Sequence, residues 1–137
     1  RVMNTKARFG LFFVGFAIWA TATLVFRVAG SFFFEGSMLE YWLNVVATGA
    51  LYAALAIGLM KWCGIKQIDW LQGAVCIALP GMLGEIPVLA DFSSLMSNMQ
   101  PATAGRYAAF LFGGYVSLVG STWWLSTRAI AKTVIEG

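Results

Sequence analysis

The chain contains no histidine. That absence removes the side chain most often used as a general base, a haem ligand or a metal ligand. Charge is scarce as well: Asp, Glu, Lys and Arg make up 11% of 137 residues, against about 25% in a soluble domain. The only cysteines, Cys63 and Cys76, have twelve residues between them and form no CxxC pair, which argues against a thiol–disulfide oxidoreductase. The other usual catalytic sets are missing too: no Ser–His–Asp triad, no Cys–His pair, no HExxH and no phosphate-binding glycine loop. Glu85 and Asp91 are six apart and do not share a helical face, so a paired-carboxylate site is not expected. The six methionines show no metal-binding pattern. No catalytic residue, metal site or cofactor is expected on these grounds.

What the chain has is apolar surface. Sixty per cent of its residues are apolar and the mean hydropathy is +0.78. Such a chain is expected to have lipid as its main solvent. Four apolar stretches stand out: 9–26 continuing past Arg27 to Phe34, then 41–60, then 70–90 interrupted only by Glu85, then 107–127. A bilayer core of about 30 Å needs roughly 20 helical residues, so each stretch predicts one membrane-spanning helix. Barrel strands would alternate apolar and polar residues, and no such alternation is present. The first stretch is longer than a signal-peptide core and is followed by Arg27, so it reads as a retained span. The expected fold is all-α: one domain over residues 1–137, a four-helix transmembrane bundle. Arg1 and Val2 precede the first methionine, Met3.

Charge sets the expected orientation. With the N-terminus inside, the inner side holds Arg1, Lys6, Arg8, Lys61, Lys66, Arg128 and Lys132, seven basic residues against two outside, Arg27 and Arg106. That asymmetry places both termini and the 61–69 loop in the cytoplasm. It also accounts for the net charge of +3 without nucleic acid as a partner. The 28–40 and 91–106 connections then face outward. The first, with Phe32-Phe33-Phe34, is expected as a short amphipathic turn in the interface, and the uncharged run 92–105 as a cap.

Helix pairing in lipid relies on small residues that let backbones approach. Ala50, Ala54 and Gly58 recur at four-residue spacing, as do Gly113, Ser117 and Ser121. Each set fits a dimer contact or packing within one bundle, and the second is preferred. The third span carries Leu79-Pro80-Gly81-Met82-Leu83-Gly84-Glu85-Ile86-Pro87. Two prolines and two glycines predict a kink or break at Pro80–Gly84.

Ionisable residues inside a span are functional candidates. Glu85 lies fifteen residues past Trp70, about 22 Å along a helix, which puts it in the outer third of the membrane. Arg27 is expected at similar depth, as a salt-bridge partner or as part of a ligand or proton site. Asn44, Thr48 and Tyr52 recur every four residues and are expected either to face Glu85 or to bond to other helices. The candidate ligand-binding set is therefore Arg27, Glu85, Asn44, Thr48 and Tyr52. Asp91 and Arg106 are expected to pair across the 92–105 loop, and Glu35 and Glu40 to be exposed acids.

Several of these segments resemble a known family. The first helix reads Gly15-Phe16-Ala17-Ile18-Trp19 and on through Phe26-Arg27 to Gly30; the third reads Leu79-Pro80-Gly81-Met82-Leu83 followed by an acid; the fourth begins Arg106-Tyr107-Ala108-Ala109-Phe110-Leu111 and continues to Gly114-Tyr115. Together, over about residues 9–127, they resemble small bacterial four-helix membrane proteins classed as a domain of unknown function. In similar sequences the acid directly follows the Leu-Pro-Gly-Met-Leu run, whereas here Gly84 intervenes. The resemblance implies a four-helix protein of the bacterial inner membrane and brings no activity or site residue with it.

Three functional classes remain. One is binding or transport of a small polar ligand, an ion or a lipid headgroup in an outward-facing cavity lined by Arg27, Glu85 and the third-helix break. Another is a non-catalytic accessory subunit, as a homo-oligomer or with a membrane partner. The last is a lipid-modifying enzyme using Glu85 as acid or base. Small four-helix multidrug exporters differ in carrying a carboxylate in the first span.

Overall fold

The computed structural model describes residues 3–137; Arg1 and Val2, and with them the inner charge assigned to Arg1, lie outside the described residues. Helix α1 runs Thr5–Phe34 and starts where Asn4 Oδ1 accepts the Ala7 backbone N–H at 2.7 Å. A short turn follows. Ser37 and Glu40 then form a reciprocal capping box at the head of α2, Met38–Trp62. Gly64, at φ +69°, closes α2 with two backbone bonds, Ile65 N to Met60 O and Gly64 N to Lys61 O. This is the left-handed helix stop that glycine alone adopts without strain. A 3₁₀ turn at Gln67–Asp69 leads into α3, Trp70–Ala90. The four-residue α4, Phe92–Leu95, and a second 3₁₀ turn at Pro101–Thr103 precede α5, Ala104–Glu136.

Four of these helices are long and apolar enough to cross a membrane. At 1.5 Å per residue even α3, with 21 residues, reaches about 30 Å. Among the described residues there is no strand. The protein is an all-α, multi-pass membrane protein.

The contacts fix the arrangement. Helix α1 packs along α3, α2 along α5, and α3 joins the two pairs. Arg8 reaches Gln72 near the start of α1 and α3, and Trp19 reaches Glu85 further along both, so these two helices run parallel. Tyr41 Oη donates to Arg106 O, and Ser117 Oγ to Gly49 O, so α2 and α5 are parallel as well. Ser126 Oγ accepts from Leu71 N at the beginning of α3, while Tyr115 lies against Gly81 later in it; the two pairs are antiparallel. The consecutive helices α1 and α2 meet only marginally.

Small residues make the tight seams. A methyl group at Gly15 would collide with the Ile77 backbone. Gly113 and Ser117 face α2 as expected. Ala50, Ala54 and Gly58 do not pack inside the bundle: all three are exposed, and nothing lies within 4 Å of a Cβ built at Gly58. The face of α2 that meets α5 is instead the one carrying Val45, Gly49 and Tyr52.

Helix α3 is continuous from Trp70 to Ala90 through both prolines. Of the kink or break expected at Pro80–Gly84, the break is absent: the helix runs through these residues without interruption. Each proline removes one backbone donor from the helix ladder. The two glycines serve packing, not unwinding. A side chain at Gly81 would strike the Tyr115 hydroxyl, and one at Gly84 the Trp19 ring.

The 91–106 connection is an ordered cap. Phe92, Met96, Met99 and Thr103 are buried in it. Asn98 Oδ1 accepts from Ser31 N at 2.9 Å, tying the cap to the end of α1. Arg106 donates to the carbonyls of Phe34 and Gly36, while Asp91 is exposed, so the expected Asp91–Arg106 pair is replaced by a clamp on the α1–α2 turn. Glu35 is more than an exposed acid. Its Oε2 accepts from Gln100 N and Thr103 Oγ1, and these bonds hold the carboxyl below its usual pKa, Thr103 contributing most. The α1–α2 connection itself is three residues long, because α1 continues helically through Phe32-Phe33-Phe34.

Candidate functional site

Glu85 is 95% buried, with 5% of its surface exposed, at a point where all four long helices converge. Its Oε1 accepts the Trp19 indole N–H at 2.9 Å. Its Oε2 is buried and has no hydrogen-bond partner. Trp19 is the fifteenth of the 30 residues in α1, so the carboxyl lies halfway along that helix. Side chains tilt toward the N-terminus of their own helix, which draws the carboxyl back from the α3 C-terminal end.

The carboxyl borders a cavity of about 60 Å³, enough by volume for roughly two to four waters. Helix α1 contributes Trp19 and Thr23, α2 contributes Tyr52 and Leu55, α3 contributes Glu85, and α5 contributes Tyr107 and Tyr115. The wall is otherwise aliphatic. Two further lining residues each carry a buried polar atom without a partner, the Tyr107 hydroxyl and Thr23 Oγ1. Such orphans are rare in folded proteins. Tyr52, Tyr107 and Tyr115 are the titratable neighbours within Coulombic range of the carboxyl.

The cavity is closed toward the α1–α2 turn. Phe26 meets Phe34, Tyr107 and Phe110 edge-on at ring separations of 5.1, 5.9 and 5.6 Å, a preferred aromatic geometry. At the opposite end, Leu11, Met60, Trp70 and Ala74 form a second buried cluster. Leu55 on α2 lines the cavity and is 42% exposed.

The candidates from the sequence separate into two groups. Glu85 and Tyr52 share the cavity. Arg27 does not approach it; its side chain is exposed on α1, and Trp19 takes the place expected for it beside Glu85. Asn44 and Thr48 bond to each other at 3.1 Å, and Asn44 borders a shallow hollow beside Ser31, Glu35 and Glu40. Sequence reasoning overlooked Trp19, Thr23, Tyr107 and Tyr115 as site residues. The available signal was Trp19 and Tyr115, an indole and a phenol away from helix ends, each carrying a polar atom that needs a partner; Tyr107, at the start of its apolar stretch, gave no such signal.

Among the described residues no group of three acidic or cysteine side chains is placed to hold a metal ion. Comparison with curated proteins and with solved structures returns no match to either. One family model does match, over residues 33–129, which takes in Tyr52, Glu85, Tyr107 and Tyr115 and begins after Trp19; the chain belongs to that family, a family of unknown function (DUF5367).

Proposed function

We propose that the protein binds a small ligand between its four helices, as a step in carrying that ligand through or out of the bilayer. The observation that supports this is Glu85 itself, which lines a cavity among the four long helices and has a buried, unpartnered Oε2. Leaving a polar atom buried and unpaired costs about 1–3 kcal/mol, and more for a charged group. A bundle that only scaffolds would be more stable with an apolar residue there. The marginal α1–α2 contact supplies a lateral way in from the lipid. The positive-inside asymmetry supports a bacterial inner-membrane orientation with both termini cytoplasmic.

The test is thermal stability in detergent across a library of small polar molecules and lipid-headgroup analogues, with wild type and Glu85→Gln side by side. The expected result is a compound that raises the Tm of the wild type and leaves the variant unmoved. A library that moves neither protein contradicts the reading.

A second reading, an accessory subunit, is favoured by one observation: Ala50, Ala54 and Gly58 present an exposed small-residue face on α2. Crosslinking in native membranes distinguishes it, since that reading requires a stoichiometric partner on α2.

A further inference from the structure

We infer that α5 pairs with α5 of a second copy of this chain, parallel and in register, along the row Val116, Gly120, Trp123, Thr127, Ile130 and Val134. These six residues follow one another in steps of four, three, four, three and four. That is the 3.5-residue period at which one helix keeps the same face against another. All six are exposed. The residues through which α5 enters its own bundle, Leu111, Gly114, Leu118 and Thr122, lie on the opposite side of the helix. The row is therefore open to a partner, and the inference is independent of the Glu85 cavity.

Lipid does not cover the whole row. Ser126 Oγ accepts from Leu71 N and donates to Gln67 O, so Ser126 is level with the start of α3. The rest of α5, from Thr127 to Glu136, runs about 15 Å past that level. Arg128, Lys132 and Glu136 all fall in this stretch, a density of charge that belongs outside the hydrocarbon. Ile130 and Val134 are nevertheless 51% and 75% exposed there. An apolar face gains nothing from a partner in lipid, whereas in water its burial drives association. The row is continuous from the span into water, so its complement is a helix that leaves the bilayer alongside α5.

A second copy supplies that helix. A strong charge asymmetry inserts every copy the same way round, so two α5 helices meet parallel, and a row with this period is complementary to itself about a two-fold axis. Charge permits the pairing. At about 100° per residue, Arg128, Lys132 and Glu136 lie roughly 120–160° round the helix from the middle of the row, so like charges of two copies do not face each other. The flanking positions Val119, Trp124, Ser126, Ala131 and Thr133 carry no charge. Thr127 donates its hydroxyl to Trp123 O at 2.8 Å and so brings no unpaired polar group to the row. Nothing lies within 4 Å of a Cβ built at Gly120, which lets two backbones approach closely.

The experiment is disulfide crosslinking of the full chain in native membranes. Cys63→Ser and Cys76→Ser remove the native thiols, and one cysteine is introduced at a time: Thr127→Cys, Ile130→Cys or Val134→Cys on the row, Ala129→Cys or Lys132→Cys off it. A disulfide between two copies of the same residue on the row requires helices that are parallel and in register. Mild oxidation is expected to convert the row variants to a species of twice the chain mass at least fivefold faster than the off-row variants. Rates are normalised to maleimide labelling of each thiol, which also shows that every variant is inserted. Adding Val134→Lys to Ile130→Cys places like charges on the row and is expected to slow crosslinking at least fivefold. Equal rates on and off the row indicate random collision and overturn the inference. So do the absence of any dimer, indifference to Val134→Lys, and crosslinking of the row to a chain of different mass, which would make the partner another protein.

Discussion

The indole Nε1 of Trp19 lies 2.9 Å from Oε1 of Glu85 and joins the middle of α1 to α3. The bond crosses the same seam that Gly84 keeps thin, since any side chain at Gly84 would occupy the Trp19 ring position. Removing the indole leaves both carboxyl oxygens unpaired. Trp19→Phe is therefore expected to destabilise the protein by about 1–3 kcal/mol. The loss should shrink in a Glu85→Leu background, where no acceptor remains to be orphaned. A double-mutant cycle by reversible unfolding in mixed detergent micelles measures the coupling.

Glycine substitutions should separate tight seams from open faces. Gly15→Ala places a methyl group against the Ile77 backbone, and overpacking of that kind costs about 1–3 kcal/mol. Gly58→Ala meets nothing within 4 Å and should stay within about 0.5 kcal/mol of the wild type. The same unfolding assay reads both. Equal losses at the two positions would show that α1 and α3 are not in close contact at Gly15.

Much of this packing was readable from the sequence, and the unread part has physical causes. Four spans follow from the length of the apolar runs, and the third was placed at its observed limits, 70–90. Helix ends elsewhere extended further than the apolar runs, because caps set them: Asn4, the Ser37–Glu40 box and Gly64 are short-range signals that a hydropathy reading passes over. The Glu85–Arg27 pairing failed on helical geometry. Arg27 is eight residues beyond Trp19, so it lies about 12 Å further along α1 and about 80° round it. Matching two charges by depth ignores that rotation. The glycines around Pro80 were read as breakers because their contacts, Tyr115 and Trp19, come from other helices and leave no local trace.

The Glu35 tie makes the cap sensitive to acid. Hydrogen bonds from Thr103 and Gln100 lower its pKa from the ordinary 4.5 in the folded protein. The stability it contributes is fully present above that ordinary value and is lost as pH falls through the lower, folded value. Thermal unfolding of wild type and Glu35→Gln should differ at neutral pH and converge once the pH is well below 4.5. A constant gap across that range contradicts the tie.

Cys63 reports orientation without any engineered site. It is exposed at the end of α2, in the loop before α3. With the positive-inside arrangement, a membrane-impermeant maleimide should label it in inverted inner-membrane vesicles and leave it unlabelled in intact spheroplasts. Cys76→Ser keeps the readout to one thiol. Labelling in spheroplasts would reverse the proposed topology.

The central claim is that Glu85 lies among the four long helices with one oxygen held by Trp19 and the other buried without a partner. Nuclear magnetic resonance of protein with nitrogen-labelled tryptophan, in micelles, tests it most directly. Of the six indole signals expected from six tryptophans, one, assigned by Trp19→Phe, should move on Glu85→Gln. If the Trp19 signal stays in place, the two residues do not share the bond described.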